Sequence, residues 1–377
     1  MKKNGMLLLG ALLFAATLAA QNTLKPRLPK SAFFVGIEVG SKGVKMSVIE
    51  VAKNKQGTGE FLIVKDTSVN TDFISFSPAT LAATLKGLTE LFWVAVNNYK
   101  IPPRRVYTVV SSGVKMQAEK EGKTDEIANL IIAFQQAIKD PGRKVEVVDV
   151  VQEARLSHLG IVPQNRRYST FLIDIGSGNT KGGYFPYGNT NDFKLFEVNW
   201  GTKSITNAAE KQAEGDASLQ HFRRQLLRVA DMAENKDIIY AVNASGAYPL
   251  SDNIAFSGGI AWSVATLLRP ELIANPVVSL TYEEVQAFSE ALFRNFKSLS
   301  PEAIAASVTD AGVDKQQVLA ETKRVHAVFD QKSLMGGTAL LLKIIRQFKS
   351  VYESKSFYFV KNGQVGWVSA YVDEVIE

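Results

Sequence analysis

An eight-residue pattern occurs twice in this chain of 377 residues, and it limits the possible folds more than any other feature. Glu38-Val39-Gly40-Ser41-Lys42-Gly43-Val44-Lys45 lines up with Asp174-Ile175-Gly176-Ser177-Gly178-Asn179-Thr180-Lys181. Each copy reads acidic, β-branched, Gly, Ser, three variable residues, Lys. Each follows an apolar run, FFVGI before the first and TFLI before the second, and the two copies are 136 residues apart. A duplicated domain explains five matching positions in equivalent contexts better than chance does. The expectation is two related α/β domains facing each other across a central cleft.

The surrounding pattern agrees with an α/β chain. Residues 33–38 (FFVGIE) read as a buried strand, 40–43 as a tight turn and 44–51 as the returning strand of a hairpin. A strand is expected over 61–69, a long amphipathic helix over 77–99 behind a Ser-Pro start, and a strand over 105–110. A helix over 126–138 and a strand over 144–151 complete the first half. Hydrophobic residues make up 46% of the chain and charged residues 21%, which supports sizeable cores and excludes wholesale disorder. With no cysteine there is no disulfide framework, Cys-ligated metal or Cys nucleophile, and His158, His221 and His326 lack metal-ligand spacing. A metal would have to be held by oxygen ligands.

At the N-terminus, Lys2 and Lys3 precede an apolar run, 6–20, that closes in small residues. This predicts a signal peptide over 1–20 and an exported protein, periplasmic or extracellular; the run falls short of the roughly 20 residues a spanning helix needs. Residues 21–32, with two prolines and no apolar period, read as a linker, followed by domains over 33–160 and 161–377. Without Lys2 and Lys3 the formal excess of positive charge falls from six to four. That is compatible with an anionic ligand but is better explained by ordinary surface lysines. Arg166-Arg167 and Arg223-Arg224 are isolated pairs without interleaved aromatics, so no nucleic-acid partner is expected.

A strand ending in a carboxylate and running into a glycine turn has two assets for phosphate. Backbone N–H groups can converge on phosphate oxygens where no Cβ blocks the approach, and the carboxylate can hold Mg²⁺ or a water. One copy alone would be better explained as a tight hairpin; two copies favour phosphate. Gly40, Ser41, Lys42, Gly176, Ser177, Gly178, Asn179 and Lys181 are the candidate phosphate-binding residues, with Glu38 and Asp174 the candidate metal ligands. A third turn, Ser257-Gly258-Gly259 between an apolar strand and an apolar helix, adds Ser257 and Gly258, with a helix cap chosen for packing as the other reading. Gly336-Gly337, in a nearly all-apolar helix, is read as a site of close helix packing. Glu153, in the stretch QEARLSHLG between the repeats, suits a group that orients or deprotonates water, though an isolated Glu at a helix start is ordinarily a solvated charge.

In the order EVGSKG, QEARLSHLG, FLIDIGSGNTK and FSGGIAW, the chain resembles the exopolyphosphatase and guanosine pentaphosphate phosphohydrolase family. That family has two ribonuclease H-like domains of the actin, sugar kinase and Hsp70 type. Its corresponding segments read approximately DLGSNS, EEARLIxLG, LVIDIGGGSTE and ASGT. The 21-residue spacing of Glu153 and Asp174 also matches. The resemblance covers about 33–371 and implies release of terminal phosphate from polyphosphate or a related phosphoanhydride, with Mg²⁺ in the cleft. Glu153 then matches the general base and Asp174 the carboxylate near the metal. Lys115, in SSGVKMQ, falls where the family has a basic residue, and would serve the transferred phosphoryl group.

The departures concern chemistry more than fold. Glu38 replaces Asp, Lys42-Gly43 replaces Asn-Ser, Lys181 replaces a Glu, and 361–366 (KNGQVG) lacks the Asp and Arg of the matching segment. Exchanging carboxylates for lysines weakens Mg²⁺ binding and strengthens direct polyanion binding. The alternative function is therefore a catalytically impaired phosphate or polyanion binder, or a scaffold. An ATP-dependent kinase or filament fits less well, because such proteins use carboxylates at both loops. The expected partner is polyphosphate or another phosphorylated anion, with a homodimer allowed.

Overall fold

Two runs of β-branched and aromatic residues, each folded back on itself at a glycine turn, form the centres of two mixed sheets. A computed structural model describes residues 24–53, 61–247, 251–349 and 354–374. The expected signal peptide over 1–20 and the start of the 21–32 linker lie outside the described residues. These fall into two units: one up to Asp149 together with the segment from Tyr371, the other Val150–Ala370.

The first unit has strands β1 (Ser31–Gly40), β2 (Gly43–Ala52), β3 (Leu62–Asn70), β4 (Val106–Val110) and β5 (Glu146–Val147), in sheet order β3-β2-β1-β4-β5. β1, β2 and β3 pair antiparallel, while β4 and β5 continue the sheet in parallel. Helix α1 (Pro78–Trp93) starts with the Ser77 hydroxyl accepting from the Thr80 amide, has Pro78 in its first turn, and runs on as a π-turn to Asn98. Its Leu88, Leu91 and Phe92 pack with Val35, Ile37 and Phe134 in the core. Helices α2 (Ser112–Glu121) and α3 (Thr124–Ala137) follow. The strand expected over 144–151 is much shorter. Only Glu146 and Val147 pair with β4, and Val150-Val151 already belong to a helix.

The second unit opens with that helix, α4 (Val150–Ile161), so Glu153 and the second repeat share one unit. Next come β6 (Thr170–Ile175), β7 (Thr180–Tyr184), β8 (Lys194–Val198), α5 (Thr202–Gln212), α6 (Leu219–Ala233), α7 (Ile239–Ser245), β9 (Asn253–Ser257) and α8 (Gly259–Leu268). β10 (Val277–Ser279), α9 (Tyr282–Arg294), α10 (Pro301–Ser307), α11 (Lys315–Val328), α12 (Gln331–Phe348), β11 (Ser356–Val360) and α13 (Gly366–Glu374) complete the order. The sheet runs β10-β11-β9-β6-β7-β8. Without the edge strand β10 it reproduces the first sheet strand for strand, including the directions, as a duplication requires. Gly336 and Gly337 serve packing, as expected. A Cβ on Gly336 would stand 2.1 Å from the Thr206 hydroxyl of α5, and one on Gly337 2.8 Å from Ile260 of α8.

His158 illustrates what the second core costs. It is fully buried, its Nε2–H donates to the Thr170 carbonyl at 2.9 Å, and its ring packs edge-on against Phe185. Burial lowers its pKa to about 4, outweighing the bond to Thr170, which favours the charged form. The unfolded chain therefore binds the extra proton between about pH 6.5 and 4. The stability that neutral His158 contributes is complete above pH 6.5 and is lost as pH falls through that window. We expect the protein to lose about 3 kcal/mol more between pH 7 and pH 4 than a His158→Gln variant does, measured by urea unfolding at both pH values.

Candidate phosphate site

The repeated motif has a structural meaning its spacing alone does not give: its first and last residues face each other across a hairpin. Glu38 pairs with Lys45 across β1 and β2, and Asp174 pairs with Lys181 across β6 and β7. An acid and a lysine thus sit on the same face of each sheet, two residues from the turn.

In the second unit the elements around Asp174 converge. The parallel neighbour of Asp174 on β9 is Ser257, which is buried and donates its hydroxyl to Asp174 Oδ1 at 2.7 Å. Gly258 follows with φ +92°. A Cβ there would lie 2.3 Å from the Ile175 carbonyl oxygen and 3.0 Å from Asp174 Oδ1, so only glycine lets α8 begin this close to the acid. α4 packs against β7 and carries Glu153 in its first turn. The Lys181 ammonium reaches Glu153 Oε1 at 2.5 Å, with both side chains largely shielded from water. Burial pushes the Asp174 carboxyl up; Lys181 and the Ser257 hydroxyl oppose that shift, and Glu153 adds to it.

The turn 176–179 rests on a helix end. The amides of Thr202 and Lys203, at the start of α5, donate to the carbonyls of Gly176 and Ser177 at 2.9 and 2.8 Å, so that helix terminus is used internally. Gly176 N–H donates to the Asn179 carbonyl, and Asn179 Nδ2 to Glu197 at 3.2 Å. Ser177 and Gly178 are exposed at the tip, and their amides donate to no protein acceptor among the described residues. The first amides of α8 open beside Asp174. Together these are the N–H groups an anion would meet.

The first unit holds a matching arrangement. Lys42 is exposed at the tip of the turn, and its carbonyl accepts from the Thr71 and Asp72 amides. Gly43 has φ +150° and would place a Cβ 2.0 Å from the Val69 carbonyl, which accounts for glycine there. The Ser111 amide donates to the Val39 carbonyl, and Gly113 at the start of α2 brings that helix end against the Ser41 hydroxyl. Lys115, half-buried, lies in the first turn of α2. Gly40, Ser41, Lys42, Lys115 and Glu38 are thus gathered in one unit, and Glu153, Asp174, Gly176–Lys181, Ser257 and Gly258 in the other. The Glu153–Lys181 contact was not read from sequence. It depends on how α4 packs on β7, and the only hint was a basic residue where a carboxylate was expected.

A Mg²⁺ site fits these residues poorly. Beside Asp174, the second carboxylate already holds an ammonium, and a dication placed there would be repelled by Lys181. Among the described residues no group of three or more acidic or histidine side chains is placed to hold a metal.

Sheet order, duplication and paired hairpins define an α/β protein made of two ribonuclease H-like domains of the actin-like ATPase type. No protein-family model and no curated protein matches the chain. Among solved structures it is similar to a Ppx/GppA phosphatase from Aquifex aeolicus, with a TM-score of 0.58 at 14% identity over 89% of this chain and 98% of that one. A second Aquifex aeolicus Ppx/GppA family structure gives 0.56 at 15% identity, covering 91% and 99%. An exopolyphosphatase-like protein gives 0.53 at 16% identity, covering 92% and 99%. The chain is a divergent structural relative of these proteins, and at such identities the likeness is one of fold.

Proposed function

We propose that this chain is a phosphohydrolase of the exopolyphosphatase type, cleaving terminal phosphate from polyphosphate or a related phosphoanhydride. The observation that carries the reading is the convergence of Glu153, Asp174 and Lys181, from α4, β6 and β7, beside the exposed amides of Ser177 and Gly178. An anion held by those amides and by the start of α8 attracts Lys181 as well, because phosphate oxygens offer the ammonium a second acceptor. As Lys181 turns toward the phosphoryl group, a Glu153 oxygen is released to accept a proton from water. The water oxygen bonds to the terminal phosphorus, the bridging P–O bond breaks, and the shortened chain leaves with its electron pair. The lysine and the amides neutralise the charge that develops on the phosphoryl oxygens. Export directed by residues 1–20 belongs to the same proposal.

One observation favours a second reading, binding without turnover: Glu153 is engaged by Lys181 at 2.5 Å. Phosphate release from long-chain polyphosphate, with added Mg²⁺ and with EDTA, separates the two. The hydrolytic reading expects release that survives EDTA, since the cation at the site is Lys181. Tight binding of polyphosphate with no release under either condition selects the second.

A further inference from the structure

At the far end of β1, about 30 Å along the strand from Gly40, the first unit has a cavity of about 530 Å³. Four cationic side chains line it: Lys30 before β1, Lys53 after β2, and Arg104 and Arg105 before β4. Among the described residues no acidic side chain lines it, and none of the four makes an ion pair. Cations of one sign gathered around a concavity repel one another, an arrangement that a bound anion relieves. Arg105 lies 5.3 Å over the Phe34 ring, which fixes the guanidinium against the wall.

The wall also holds a polar atom with nothing to bind. The Tyr107 hydroxyl is buried and has no hydrogen-bond partner among the described residues. Its ring stacks on Tyr371 at 5.3 Å, and the Tyr371 hydroxyl donates to Glu146, so the aromatic pair is held in place. Burial pushes the Tyr107 phenol up, which keeps it a proton donor at neutral pH. A buried donor without an acceptor is costly, and a shift of the side chains that cover it would let an anionic oxygen in the cavity satisfy it.

We propose that this cavity is a second anion site, separate from the glycine turns, that binds a short condensed phosphate chain through Lys30, Lys53, Arg104, Arg105 and the Tyr107 hydroxyl. A single monovalent anion would leave most of the local charge uncompensated, whereas a multiply charged phosphate chain matches both the number of cations and the volume. The site stands whether or not the turns catalyse hydrolysis.

Calorimetric titration of the full chain with tripolyphosphate tests it, in the wild type and in a Lys181→Ala background that weakens the turn site. The expected result is a binding event that persists in Lys181→Ala and weakens about tenfold or more in Lys53→Glu/Arg104→Glu. Tyr107→Phe, which keeps the stack on Tyr371, is expected to weaken the same event about threefold to tenfold with an unchanged melting temperature, and it decides the matter if the double variant fails to fold. ATP, titrated in parallel, is expected to bind at the same site with similar affinity, because recognition lies in the phosphate chain. Tripolyphosphate binding that disappears in Lys181→Ala, or that neither cavity variant changes, would overturn the assignment, as would ATP binding without tripolyphosphate binding.

Discussion

Replacing Glu153 by Gln is expected to lower phosphate release from polyphosphate about a thousandfold while leaving the affinity for polyphosphate unchanged or higher. Gln keeps the shape of the side chain and can still contact Lys181, but its amide cannot accept the proton of the attacking water; losses of a hundredfold to ten-thousandfold are usual for a general base. Affinity does not fall, because Glu153 contributes no donor to the anion and its loss removes a competitor for the Lys181 ammonium. The effect therefore appears in kcat rather than KM. Equal rates for the two proteins would take Glu153 out of the reaction.

The second large effect is expected at Gly258. Its φ of +92° is a conformation side chains rarely adopt, and a Cβ there would press on the Ile175 carbonyl oxygen at 2.3 Å. That oxygen belongs to the backbone of buried Ile175 in the central strand β6, so it does not move cheaply. Gly258→Ala is expected to cost about 3 kcal/mol or more of stability, measured by urea unfolding, from backbone strain together with the clash. Ala at Gly178, which meets nothing within 4 Å, is the matched control and is expected to leave stability nearly unchanged.

The duplication was legible because each motif ends on residues that the hairpin brings opposite each other: Glu38 with Lys45, Asp174 with Lys181. A fixed spacing in sequence thus became a fixed distance in the sheet. The glycine turns and the strand–glycine–helix junction at Ser257-Gly258 were legible for the same local reason. Elements without strong periodicity were not. Helix α2 is short and polar, with only Ser112, Val114 and Ala118 buried, and it was not anticipated. The run KVEVVDVV suggested a longer strand than β5, because β-branched residues carry that signal whether or not a partner strand is present to pair with them. Long-range contacts were out of reach in kind. Glu153 and Lys181 are 28 residues apart, Ser257 and Asp174 are 83 apart, and nothing local marks either pair. The cationic cavity was missed because Lys30, Lys53 and the Arg104-Arg105 pair are far apart in the sequence; they come together only where β1, β2 and β4 lie side by side.

The seating of turn 176–179 on the first amides of α5 has a thermodynamic consequence. Those bonds, with the close approach of Gly201, where a Cβ would stand 2.7 Å from the Asn179 nitrogen, hold the tip in one geometry before any ligand arrives. If the turn holds phosphate as proposed, the conformational entropy of forming that cradle is met during folding and does not recur with each ligand bound. Ligands that differ in length but end in the same phosphate group would then be captured with similar free energy at the tip. Discrimination among them would fall to whatever contacts the rest of the chain.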